Sequence, residues 1–158
     1  MTQTFIGVDL GGTQLRLARF DADLNMFAKP LRDTIIEEKR SRDSLIDRII
    51  EDISALKDDD VVAIGMSAPG PLNPRTGVIL CPPNIPVWVD VPLKDILEDE
   101  FGVPVFIQND ANLGALAEQQ LGAARGCEDL IYITLSTGVG TGMIANDRLV
   151  VGANGVGS

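Results

Sequence analysis

An acid, two glycines and a hydroxyl close the first apolar run of this chain: Phe5-Ile6-Gly7-Val8-Asp9-Leu10-Gly11-Gly12-Thr13. Paired glycines let backbone amides approach an anion without an intervening Cβ, and Thr13 adds a side-chain donor. Asp9 repels a phosphate unless a hydrated cation stands between them, which is how magnesium sits in nucleotide sites. These residue types at this spacing suit a magnesium-bound nucleotide, with Asp9 reaching the metal through water. Near the other end, Leu135-Ser136-Thr137-Gly138-Val139-Gly140-Thr141-Gly142 sets alternating glycines among hydroxyls. Alone, that segment is equally a plain turn. Together with the first, it supplies a second wall for the same polyphosphate.

Two common phosphate-binding signatures fail. A Walker loop needs a lysine followed by serine or threonine after its glycines, and none follows here. A Rossmann fingerprint needs a helix after its glycines. The first segment instead meets a turn at Asp21-Ala22-Asp23-Leu24-Asn25, and the second meets Asn146-Asp147. Both glycine segments are therefore expected at the tips of β-hairpins.

The elements that must position these loops follow from periodicity. Thr4–Leu10 and Gln14–Phe20 read as strands, with a further strand over Ala28–Thr34. Leu45, Ile46, Ile49, Ile50, Ile53 and Leu56 recur at helical spacing and predict a helix from Ser41 to Leu56, capped at Ser41 or Asp43. Val61–Met66 reads as an interior strand. Ser67–Arg75 is expected to be irregular, because its prolines remove donors. The rigid stretch Cys81-Pro82-Pro83-Asn84-Ile85-Pro86 leads through Trp88 to a helix over Leu93–Phe101. A strand over Val103–Gln108 and an alanine-rich helix over Ala111–Leu121 come next. Leu130–Leu135 and Gly142–Ala145 complete the strands. Strands alternating with helices indicate an α/β layer, and the paired opening strands make its sheet mixed.

Composition sets the limits. The 158 residues, 45% hydrophobic and 23% charged, suffice for one ordinary domain core. Thirteen basic residues against 23 acidic ones give a net charge of −10, which argues against a nucleic-acid partner. No apolar stretch is long enough to span a bilayer and no leader is evident at Met1, so no membrane partner and a cytoplasmic location are expected. Cys81 and Cys127 read as ordinary reduced thiols, and the absence of histidine removes histidine-based catalysis from these residues.

Five segments taken together carry a resemblance. Gly7–Thr13, Gly65-Met66-Ser67-Ala68-Pro69-Gly70-Pro71, Pro83-Asn84, Gln108-Asn109-Asp110-Ala111-Asn112 and Leu135–Gly142 resemble, in order and spacing, the ROK family. That family holds bacterial sugar kinases and sugar-responsive repressors within the hexokinase–actin–Hsp70 superfamily. The resemblance implies an α/β, ribonuclease-H-like (actin-like ATPase) fold. Its mixed five-stranded sheet would carry three antiparallel strands followed by parallel ones. It further implies ATP-dependent phosphorylation of a hexose, glucokinase-like. Asp9 would hold Mg2+ through water, Gly11, Gly12 and Thr13 would line one side of the phosphates, and Thr137, Gly138 and Gly140 the other.

Within that reading Asp110 is the expected general base. A sugar hydroxyl is a poor nucleophile, and a carboxylate that accepts its proton helps it attack the γ-phosphoryl group. Asp110 follows a strand, so it emerges where crevices form in α/β sheets. It is equally suited to cap the helix that begins at Ala111. Asn109 and Asn84 are expected on the sugar hydroxyls, although each also stabilises a turn. Gly70 lets a sugar approach the backbone or simply turns the chain. Trp88 either stacks on the sugar or fills the core, the more usual fate of its type.

Family members continue past a Gly-Ala-Asn-Gly-type segment into further sugar contacts, a zinc site and an adenine pocket. The resemblance thus implies an amino-terminal kinase domain over residues 1–120 and the start of a second domain over 121–158. Structural zinc is expected only beyond Ser158, and a homo-oligomer, a dimer, for the longer protein. On this reading the 158 residues alone transfer phosphate poorly. A repressor of the same family carries its DNA-binding element ahead of the kinase-like domain. The position of Asp9 and the negative charge speak against it. A chaperone-like or actin-like ATPase is disfavoured by the Asn84 and Asn109–Asn112 segments.

Overall fold

A computed structural model describes residues 3–11, 14–28, 41–135, 138–153 and 155. In chain order the elements are β1 (Thr4–Leu10), β2 (Leu15–Asp21), β3 (Met26–Ala28), α1 (Arg42–Ser54), β4 (Val61–Ala68), β5 (Leu72–Asn73), β6 (Val78–Ile79) and β7 (Val91–Pro92). Then follow α2 (Leu93–Phe101), β8 (Val105–Asn109), α3 (Asp110–Gln120), β9 (Leu130–Leu135), β10 (Val139–Ala145) and β11 (Arg148–Leu149).

The main sheet has the order β3-β2-β1-β4-β8. β1, β2 and β3 pair antiparallel, and β1, β4 and β8 run parallel. This is the mixed five-stranded α/β sheet that the resemblance implied. Alternation along each strand sorts the residues onto two faces. Ile6, Val8, Leu10, Leu15, Leu17, Ile64, Met66, Val105 and Ile107 are buried on one of them. They join the apolar stripes of α1 (Leu45, Ile46, Ile49, Ile53) and α2 (Leu93, Leu97) in one core. Trp88 is fully buried in that core, its indole N–H directed at the Arg42 carbonyl at 3.4 Å, so core packing and not sugar stacking is its role.

Arg19 lies on the core side of β2 and ties the sheet to the turn before β4. It donates to Thr4 Oγ1 (3.2 Å), the Leu56 carbonyl (3.3 Å) and Asp58 (2.6 Å), and also pairs with Asp60. Its guanidinium stands over the Phe27 ring, 5.3 Å from the centroid. Such a charge is tolerated at low exposure only because each donor has a partner.

Several expectations shift. α1 starts at Arg42, and Ser41 is its cap, its hydroxyl accepting from the Ser44 N–H at 3.2 Å. Ser67–Arg75 is not wholly irregular: β4 continues to Ala68, and Leu72-Asn73 pairs with β6. The prolines end the five-stranded ladder at Ala68, and Leu72-Asn73 joins a separate small sheet, β5-β6-β7. The third strand opens earlier than expected, at Met26, and is described as far as Ala28; residues 29–34 of the strand expected over Ala28–Thr34 lie outside the described residues. β10 opens at Val139 and not at Gly142, since glycines with close neighbours stay in the ladder. Among the described residues, no helix is long and apolar enough to cross a membrane.

Candidate functional site

The three parallel strands end in one row. Asp9 of β1 pairs beside Ser67 of β4, which pairs beside Gln108 of β8. Neighbouring strands lie roughly 5 Å apart, so about 10 Å separates the Asp9 and Gln108 backbones. Carboxyl ends of parallel strands are where α/β folds open their ligand crevices.

Asp9 is half exposed (54%), and its carboxylate lies 3.8 Å from Arg16, its register partner on β2. Leu10 faces Leu15, which makes the glycine segment a hairpin tip as expected. Within that tip the Gly11 N–H donates to the Gln14 carbonyl at 2.8 Å, and a Cβ on Gly11 would press on that oxygen at 3.3 Å. The Gly11 N–H is therefore engaged inside the turn. Gly12 and Thr13 lie outside the described residues. An exposed carboxylate near the end of β1 fits a hydrated magnesium ion, which takes one or two carboxylates and keeps several of its waters.

The second glycine segment is also a hairpin tip, with Leu135 facing Val139. Thr137 lies outside the described residues. Gly138 is open, with nothing within 4 Å of a built Cβ, and leaves its backbone accessible. Gly140 is crowded: a Cβ would lie 2.9 Å from Thr134 Cγ2 and 3.2 Å from Ala111 Cβ. Gly142 is tighter still, 2.3 Å from the Ala111 carbonyl oxygen. These two glycines let the hairpin lie directly on the start of α3. Gly114 does the same from the helix side, where a Cβ would strike the Tyr132 ring at 2.6 Å. The sequence reading passed over this role for Gly114 and Gly142. The signal available was small residues at 111, 114 and 115 facing glycines two apart on a strand.

The corner between β8 and α3 holds the acid–amide cluster. Asn109 is the helix cap, its Oδ1 accepting from the Ala111 N–H at 3.0 Å. Asp110 begins the helix itself, and its Oδ1 accepts from the same N–H at 2.8 Å. Asn109, at the cap position, and Asp110 thus share the Ala111 N–H, and among the described residues Asp110 Oδ2 has no hydrogen bond. Gly70 is brought against this corner, a Cβ there lying 3.0 Å from Asn109 Nδ2. The Gly70-Pro71 bond is cis.

Asn84 lies apart, exposed in a turn closed by the Ile85 N–H on the Pro82 carbonyl at 2.9 Å. Among the described residues no hydrogen bond ties its side chain to the corner. Further along, the segment after β11 folds back on the loop that follows Gly70. A Cβ on Gly155 would meet Pro74 at 2.4 Å, and Arg75 reaches the Ala153 carbonyl at 3.4 Å. The structure therefore gathers Asp9, Gly70, Asn109, Asp110 and Gly140 around one end of the sheet and leaves Asn84 on a separate turn.

Comparison with known proteins bears on the family and the fold. Residues 5–158 match the ROK family. A glucokinase of Thermotoga maritima is 36% identical over 154 residues, 97% of this chain and 48% of its own length. The crystal structure of a ROK family glucokinase from Streptomyces griseus, in complex with glucose and AMPPNP, superposes with a TM-score of 0.84. It is 34% identical and covers 98% of this chain and 48% of that one. A xylose repressor of Bacillus spizizenii is 36% identical over 117 residues, 73% of this chain and 30% of its own length. The chain spans about half the length of the glucokinases it matches.

Proposed function

Because this chain belongs to the ROK family, with the actin-like ATPase fold of its kinases, we propose that it supplies the acceptor-hydroxyl and phosphate-facing walls of an ATP-dependent hexose kinase, glucokinase-like in substrate. The observation that carries the proposal is the β8–α3 corner, where Asp110 stands at the sheet's carboxyl end beside Asn109 and Gly70. Asp110 accepts the proton of the attacking sugar hydroxyl, while Asn109 and Gly70 seat the ring and Asn84 approaches from its separate turn. Alignment supplies most of the rate: a hydroxyl fixed near the γ-phosphoryl group reacts far faster than one that must find it. Asp9 would hold Mg2+ through water, with Gly11, Gly12 and Thr13 on one side of the phosphates and Thr137, Gly138 and Gly140 on the other. The metal, when bound, supplies charge neutralisation on the phosphate oxygens.

In this proposal residues 1–120 form one unit and 121–158 begin a second, whose hairpin closes on α3. The protein acts in the cytoplasm, as a dimer, without nucleic-acid or membrane partners. These 158 residues alone turn over poorly. A second reading, a sugar-sensing regulator of the same family, is favoured by the likeness to the xylose repressor.

A coupled assay of ADP release by the full-length protein over a panel of hexoses separates the two readings. The kinase reading expects hexose-dependent ADP release that needs Mg2+. It also expects Asp110→Asn to lower that release by about 10²–10⁴-fold, the usual weight of a positioned base. Hexose binding without any ADP release would favour the regulator and contradict the kinase.

A further inference from the structure

Behind the Asn109–Asp110 corner lies a pair of amide side chains that the reading above leaves unused. Gln108 sits on the last rung but one of β8, beside Ser67, and on the opposite face from the buried Val105 and Ile107. Its Oε1 accepts from the backbone N–H of Asn109 at 2.8 Å and from Asn112 Nδ2 at 3.2 Å. Asn112 stands on the first turn of α3 and is 1% exposed. Its Oδ1 is buried with no hydrogen-bond partner among the described residues.

A buried acceptor left unmade costs stability, and an apolar side chain of the same size removes that cost. Among the described residues the amide's one hydrogen bond is the one its Nδ2 donates to Gln108, so its oxygen adds cost without a bond in return. What the amide does supply is direction. One end of the Asn112 side chain holds Gln108 Oε1, and Gln108 Oε1 holds the peptide that launches Asn109 and Asp110. The Asn109 side chain leaves the backbone from the Cα bonded to that nitrogen, and Asp110 is the next residue.

We propose that Gln108 and Asn112 form a positioning clamp. It fixes the Asn109–Asp110 turn so that the carboxylate meets the acceptor hydroxyl and the Asn109 amide meets the sugar. The clamp rests on the reading of Asp110 as the base. Neither member touches substrate; both act through the corner they hold. A corner free to tilt misplaces the base, and a displacement of about 1 Å costs on the order of 10²-fold in rate.

The test uses the full-length protein and hexose-dependent ADP release, with thermal unfolding measured on the same preparations. Asn112→Leu is expected to lower kcat by about tenfold or more, leave the KM for ATP unchanged, and leave Tm equal or raised. That split, slower yet no less stable, does not arise from a merely structural residue. Gln108→Met, which lacks the acceptor, is expected to slow the enzyme likewise. Gln108→Glu keeps an oxygen for both donors and is expected to run at least about tenfold faster than Gln108→Met. This second pair carries the test if Asn112→Leu does not fold.

Wild-type kcat in Asn112→Leu overturns the clamp. So does a loss of rate that tracks a loss of Tm, or a Gln108→Glu variant no faster than Gln108→Met. Asp110→Asn measured alongside tells which idea has failed. If it turns over normally, the base reading falls and takes the clamp with it. If it is inactive while Asn112→Leu is normal, the clamp alone falls.

Discussion

Gly142 shows how a single missing side chain organises the corner. Its Cα lies so near the start of α3 that a methyl group would sit 2.3 Å from the Ala111 carbonyl oxygen and 2.9 Å from Ala115 Cβ. Neither backbone can yield without moving the helix that carries Asp110. Gly142→Ala is therefore expected to destabilise by about 1–3 kcal/mol, the range for overpacking, seen as a lower urea midpoint at unchanged slope. Nothing in the sequence around Gly142 announces this, because the constraint is a tertiary neighbour thirty residues away. The same holds for the Asn109–Asp110 pair. Asparagine and aspartate cap helices about equally well, so residue type alone leaves the cap undecided. The backbone decides it: Asn109 is extended (φ −62°, ψ 144°), and the helix begins at Asp110. The place of Asp9 near the end of β1 was legible early, since the apolar run that carries it stops at the paired glycines.

Elements with one strong period were read closely, and elements defined by pairing were not. The helices over Arg42–Ser54 and Leu93–Phe101 follow their apolar stripes. The two-residue strands β5, β6 and β7 exist only through one another and leave no periodic trace. The turn joining β2 to β3 has its own chemistry. Asp21 Oδ1 accepts from the N–H groups of Asp23 and Asn25, each at 2.9 Å, and Oδ2 accepts from Asn25 Nδ2 at 3.0 Å. The Asn25 side-chain bond first, and the Asn25 and Asp23 backbone bonds after it, hold this carboxyl below its ordinary value. A carboxyl depressed in the folded state adds stability above its unfolded value, near pH 4, and loses it as pH falls through the folded value. Asn25→Ala is thus expected to lower the urea midpoint at about pH 6 and to converge on wild type near pH 2. A gap of equal size at both pH values would show that the turn does not depend on ionised Asp21.

At the scale of the whole molecule, two sheets meet through one helix. The five-stranded sheet ends in the row Asp9, Ser67 and Gln108, and α3 rises from that row. The small faces of α3 and β10 then bring the second hairpin down beside Ala111. That the sheet is mixed followed from the paired opening strands, but its arrangement of three antiparallel strands and two parallel additions was read through the family resemblance, since periodicity does not state strand order. The approach of Gly155 to Pro74 was likewise invisible to local pattern. The central claim is that both glycine hairpins line one nucleotide while Asp110 waits at the sugar. A crystal structure of the full-length protein with Mg2+, AMPPNP and an unphosphorylated hexose that it accepts as substrate tests it most directly. The account predicts phosphates lying between Gly11 and Gly138, Asp9 on a magnesium-bound water, and Asp110 about 3 Å from one sugar hydroxyl. Phosphates bound against one hairpin alone, or a sugar seated away from Asp110, would contradict it.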